Sequence, residues 1–183
     1  ILAIGVFIRE AIVADFFDQI TDKHAAFIKE QPMFFTATAA EGTRINLSPK
    51  GMDSFRVLSP NMCGYLDVTG SGNETSAHLK HDGRITIMFN SFSRNALIYR
   101  IYGKGRVVRK GTDEYADLIG HFDELSGARQ IIVVDVESTQ TSCGYGVTEM
   151  DLKAERQTLK KWADKKGEDG IQEYQQKRNA LSI

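Results

Sequence analysis

Hydrophobic and polar positions alternate with a period of two through much of the chain between Met33 and Glu137. That spacing places successive side chains on opposite faces of a strand. It predicts strands over Met33–Ala40 and Arg44–Ser48, joined by a Glu41-Gly42-Thr43 turn, and a short one over Phe55–Leu58 before Pro60. Cys63–Thr69, Arg84–Phe92, Ala96–Lys110 and Arg129–Glu137 continue the series, with Gly103 and Gly105 marking a bulge or bend. The spacing changes to that of helices in only a few places. Asp15–Glu30 is expected to be helical, with Thr21 capping its better-defined part and Pro32 enforcing the end. Glu74–His81 follows the N-cap candidate Asn73 and stops at Gly83, and Thr112 caps a helix reaching Glu124. From Met150 the pattern is helical and polar, broken by Gly167 and Gly170, with a second short helix over Ile171–Arg178. About six strands interrupted by three or four helices predict a mainly β fold. The sheet is expected to be mostly antiparallel with peripheral helices, nearer a barrel than a doubly wound sheet.

Composition narrows the function classes. The 183 residues suit a single domain able to bury a sizeable core. With 23 basic against 24 acidic residues, there is no electrostatic case for nucleic acid or a membrane surface as partner. Cys63 and Cys143 lie far apart and form no CxxC pair, which points to a reducing cytoplasm rather than a disulfide scaffold or zinc site. Residues 1–14 are apolar but interrupted by Arg9-Glu10 and too short to span a bilayer. They read as an N-terminal extension, native or added, before a domain over 15–150 and a helical C-terminal tail over 151–183 packed on it.

The stretch richest in candidate chemistry is Cys63–Arg84, a strand feeding Gly70-Ser71-Gly72 and then a helix. Backbone N–H groups and the positive end of a helix dipole converge at such a turn, which is a common device for holding phosphate. A dianion also needs charge-assisted donors. Arg44, Ser48, Lys50 and Arg100 are the candidates, Arg100 being the charged residue in an otherwise apolar-aromatic run. Arg44 and Lys50 fit a solvated strand end equally well. Glu74 opposes the reading unless its side chain points away from the turn. His78 and His81, three apart, read as packing or surface residues, since no third metal ligand accompanies them. Asp67 fits a perturbed acid and a hydrogen-bonded structural carboxylate alike. There is no third glycine at dinucleotide spacing, no Walker lysine, no HExxH and no GxSxG.

Four runs, taken in order, extend this picture: Arg44-Ile-Asn-Leu-Ser-Pro-Lys-Gly51, Gly64–Leu79 with its GSGNET turn, Gly83–Phe89, and Arg100–Val108. Together with Cys143-Gly-Tyr-Gly-Val147, they resemble the pyridoxamine 5'-phosphate oxidase-related family, from about Phe16 to the C-terminus. The resemblance implies a split β-barrel that binds FMN at the interface of a homodimer and acts as an oxidoreductase on a small molecule. It implies that Arg44 to Lys50, Ser48 among them, line the flavin and its phosphate. Asn73, Thr75 and Ser76 would cover the phosphate from the helix N-terminus, and Arg100 would approach from a neighbouring strand. The chain departs from the true oxidases at two places. Thr75-Ser76 stand where those enzymes carry Arg-Lys before Ala-His, and their Arg-Leu-His-Asp-Arg substrate motif is missing. The resemblance therefore carries flavin binding and not the vitamin B6 substrate. A non-catalytic flavin carrier or sensor, or a barrel binding haem or another cofactor, remain the alternatives.

Overall fold

A computed structural model describes residues 14–178. Eight strands and four helices follow the order β1 (Ala14–Phe17), α1 (Asp22–Glu30), β2 (Phe34–Thr38), β3 (Asn46–Lys50), β4 (Phe55–Ser59), β5 (Met62–Val68), α2 (Glu74–His81), β6 (Arg84–Asn90), β7 (Ile98–Arg109), α3 (Asp113–Ile119), β8 (Ala128–Ser142) and α4 (Thr158–Arg178). Every strand pairing is antiparallel. The main path runs β3-β2-β6-β7-β8-β5-β4, with β1 paired to the far half of β8. The strip curls around one core and is split between its two end strands, β3 and β4, giving the expected split antiparallel barrel with peripheral helices. The apolar stretch 1–14 lies outside the described residues except for Ala14.

The core is aromatic at one end and aliphatic at the other. Phe34 from β2 packs on Phe55, Tyr65 and Phe89 with ring centroids 5.2, 5.5 and 5.4 Å away. Ile85, Ile87, Ile101, Ile132 and Val134 complete the barrel interior. A smaller cluster on the outside of β5 and β8 gathers Leu66, Ile131 and Val133 beneath Phe122 and the apolar face of α3. No helix among the described residues is long and apolar enough to cross a membrane.

Several expectations move at the element ends, each for a local reason. Residues 15–17 are strand, not helix, because β1 adds to the exposed edge of the long β8; the helix begins only at its Thr21 cap. Pro49, just past the expected end of the Arg44–Ser48 strand, lies within β3 opposite Phe35. Since β3 pairs with β2 alone, it is an edge strand, where a missing N–H interrupts no ladder. The strand expected to stop at Glu137 continues to Ser142, carried by pairing of Thr139–Ser142 with both β1 and β7. The helical tail begins at Thr158 rather than Met150 and turns sharply at Gly167, whose φ is 66°. Its Ala163 and Ile171 are buried, and Gln175 Nε2 donates to Thr69 Oγ1 at 2.7 Å.

The predicted irregularity at Gly103 is present as a register shift between Tyr102 and Gly103 against β8. A β-carbon on Gly103 would stand 3.0 Å from the Asp135 carbonyl carbon and overlap its oxygen. Gly103→Ala is therefore expected to cost roughly 1–3 kcal/mol in urea unfolding, the usual penalty of overpacking. Gly120→Ala, which meets no atom within 4 Å, is the control and is expected to cost nothing measurable.

Candidate functional site

The glycine turn sits at the split end of the barrel, roofed by α2. Phe34 and Thr36 point inward from β2, and residues directly opposite across a ladder share a face. Lys50 and Ser48 pair with these two, so β3 presents Asn46, Ser48 and Lys50 toward α2 and leaves Leu47 and Pro49 outside. On the far side of the split, Tyr65 and Asp67 alternate inward from β5 while Leu66 faces the outer cluster.

Side chains bridge the split. Lys50 Nζ meets Asp67 Oδ1 at 3.0 Å and lies 5.5 Å from the Tyr65 ring centroid. Arg129 Nε and Gln130 Nε2, from the start of β8, each donate to Asp67 Oδ2 at 2.8 Å. Asp67 itself is only 2% exposed. Burial pushes its carboxyl up, but the Lys50 and Arg129 charges and their hydrogen bonds outweigh that and hold it below the ordinary carboxylate value. Burial, helped by the Asp67 charge, pushes the Tyr65 phenol up. The Thr36 and Thr75 hydroxyls oppose that rise from nearby, although neither Tyr65 OH nor Thr36 Oγ1 completes a hydrogen bond.

A second chain of contacts ties β3 to the helix. Ser48 Oγ donates to Asn46 Oδ1 at 3.0 Å, and Asn46 Nδ2 donates to Thr75 Oγ1 at 2.9 Å. His78 is buried beneath α2, with Nδ1 3.0 Å from Thr38 Oγ1 and Nε2 3.1 Å from Thr43 Oγ1. The Thr43 hydroxyl donates to the Ala40 carbonyl at 2.8 Å, which leaves its oxygen to accept from Nε2. The imidazole is thereby a strut holding α2 against β2.

At the turn itself, Asn73 is the N-cap residue of α2, but its side chain makes no capping bond. Its Oδ1 accepts from Gln130 Nε2 at 3.0 Å instead. Glu74 does not point away as the phosphate reading requires: its carboxylate folds back against Gly72, into the space a β-carbon there would take. Thr75 and Ser76 are buried, Thr75 turned toward Asn46.

The structure thus brings Ser48, Lys50, Asn73, Thr75 and Ser76 to one end of the barrel. It does not bring Arg44 or Arg100 to them. Arg44 is exposed ahead of β3. Arg100 alternates outward between the buried Tyr99 and Ile101, and Nη1 donates to Ser142 Oγ at 3.2 Å. It lies three strands from β3, roughly 14 Å across the sheet at the usual strand spacing, and on the other face. Arg129 and Gln130 were not among the sequence candidates, whereas Asn46 falls within the Arg44–Lys50 run expected to line the flavin. A charged residue heading a buried run, Arg129 before Gln-Ile-Ile-Val-Val, was the available signal.

Comparison with known proteins agrees with this architecture. The family model described as pyridoxamine 5'-phosphate oxidase matches residues 20–143. The pyridoxamine 5'-phosphate oxidase family protein ustO of Aspergillus flavus is 39% identical over 148 residues, 78% of this chain and 59% of that protein. The chain thus spans about three fifths of the length of that curated relative. Among solved structures, HupZ of Group A Streptococcus superposes with a TM-score of 0.51 at 22% identity, covering 64% of this chain and 90% of that one. The FAD binding protein of Mycobacterium smegmatis gives 0.50 at 12% identity, covering 68% and 98%. Both share the fold. On the extent of the family match and the identity to its Aspergillus relative, the chain belongs to the pyridoxamine 5'-phosphate oxidase family.

Proposed function

We propose that the protein is an FMN-binding flavoprotein, working as a cytoplasmic homodimer and catalysing oxidation or reduction of a small molecule. The observation that carries this reading is the buried ion cluster under the glycine turn. Two cations, Lys50 and Arg129, meet the single carboxylate of Asp67 beneath a helix N-terminus, with Glu74 the further acid at the turn. Arg129 Nη1 is buried and has no partner, a donor for which an anion at the turn gives a reason. The residues therefore fit a phosphate. Lys50, Asn73, Thr75 and Ser76 would hold it, and Ser48 would line the flavin from β3. When bound, the flavin supplies the electron and hydride chemistry, while the protein binds and orients it. Family membership and the FAD-binding neighbour support a flavin.

The outer face of the sheet supports the dimer. Pro49, Phe35, Met88, Arg100, Gln140 and Phe16 form one row across six strands. Phe16 at one end of this row is 69% exposed and Leu47, beside Pro49 at the other end, 65%, apolar surface that a second copy would cover. Arg100 would then reach a flavin site across the interface rather than within its own protomer. Sedimentation is expected to give a dimer, and Leu47→Asp a monomer with weakened FMN binding. A monomeric wild type with full FMN affinity contradicts the dimer.

The enzyme reading is tested by anaerobic reduction of the loaded protein with NAD(P)H or an amine, then reoxidation in air. Turnover supports an oxidoreductase. A flavin that binds but is reduced by none of them favours a carrier, a reading consistent with the burial of the cores' titratable groups, Cys63, Tyr65 and Tyr99.

A further inference from the structure

The start of β8 is irregular in a way that changes the site. Asp67 pairs with Gln130 and Val68 with Ala128, so Arg129 is an extra residue against β5. A bulge re-aims side chains that a regular strand would send to opposite faces. Arg129 and Gln130, consecutive in sequence, both reach Asp67 Oδ2, and both continue to the turn. Arg129 Nη2 donates to the Gly72 carbonyl at 3.0 Å, and Gln130 Nε2 to Asn73 Oδ1 at 3.0 Å. The Arg129 side chain is 9% exposed, and its remaining nitrogen, Nη1, is unpaired. Gln130 also draws the Asn73 side chain away from capping α2. Against these stands one acid, Glu74, folded over Gly72.

We infer that Arg129, aimed by the β8 bulge, positions the glycine turn and supplies the charge by which this site selects a phosphorylated ligand over its unphosphorylated counterpart. Thr75 and Ser76 bring no charge to the helix N-terminus, and Lys50 and Arg129 share the one charge of Asp67. Of the two, Arg129 alone keeps a buried nitrogen with no partner, so the charged donor left for a ligand comes from β8. Glu74, folded over Gly72, is the acid that opposes an anion at the turn. This rests on the FMN reading for the identity of the ligand, but not for the anion site itself.

The test is the ratio of FMN to riboflavin affinity, read by flavin fluorescence, which a loss of general stability would not move. The wild type is expected to favour FMN. Arg129→Gln is expected to weaken FMN by about tenfold or more and leave riboflavin unchanged, as for one lost charge-assisted bond. Arg129→Lys is expected to restore part of the ratio, and Glu74→Gln to raise it. Should Arg129→Gln fail to fold, Arg129→Lys and Glu74→Gln decide the matter. An unchanged ratio in the folded variants overturns the inference. If the wild type binds neither flavin, the FMN reading fails, and inorganic phosphate becomes the probe. A phosphate-dependent rise in melting temperature that Arg129→Lys or Arg129→Gln diminishes sustains the inference. Absence of any phosphate effect overturns it.

Discussion

Asp67→Ala is expected to destabilise the protein by roughly 3–5 kcal/mol at neutral pH, because it strands two cations that share one buried carboxylate. Lys50, 24% exposed, can turn toward water, whereas Arg129 at 9% cannot, so most of the loss falls on the β8 bulge. The loss should also depend on pH with a definite sign. The Asp67 carboxyl lies below its ordinary value in the folded protein. Its contribution is then complete above the unfolded value of about 4 and is lost as pH falls toward the native one. Urea unfolding across the acid range should show the wild type losing stability below about pH 4 and converging on Asp67→Ala. Parallel curves, with the difference kept into strong acid, would count against the cluster as the source.

Phe34→Ala is expected to cost a similar amount, roughly 3–5 kcal/mol, by a different route. Phe34 is 3% exposed and sits among Phe55, Tyr65 and Phe89, so truncation leaves a cavity that rigid ring neighbours fill poorly. No charge changes, so the loss should be independent of pH in the acid range. Affinities for FMN and riboflavin should fall together, if at all. Phe34→Ala thus separates general loss of packing from loss of the phosphate grip. A Phe34→Ala variant that lost FMN and kept riboflavin would show that the turn is not governed by the Asp67 cluster.

The strands with clean alternation were legible because burial on one face writes itself into the sequence. Arg84–Asn90 and the Cys63–Val68 run are found where the pattern puts them, as is α2 after Asn73. The far half of β8 was not, since Ser138–Ser142 is polar and is strand only through partners on both sides. Residues 15–17 follow the same rule: their pairing with β8 outweighs a helical pattern that begins properly at Thr21. At the candidate site, the glycine turn, Lys50 and the Thr75–Ser76 pair were nominated from spacing and resemblance, and the fold gathers them at one end of the barrel. Arg129 and Gln130 were missed because nothing local announces a bulge, and two adjacent residues are ordinarily assigned to opposite faces. The outward direction of Arg100 follows from its buried neighbours Tyr99 and Ile101, a parity that identifies its face but not what lies across it.

The central claim, that the turn at Gly70–Ser76 grips the phosphate of FMN, is tested most directly by titrating the flavin-free protein with FMN and with riboflavin. Bound FMN with a shifted visible spectrum, held at least about tenfold more tightly than riboflavin, is the predicted result. Equal affinity for the two, or no spectral change with either, would contradict it.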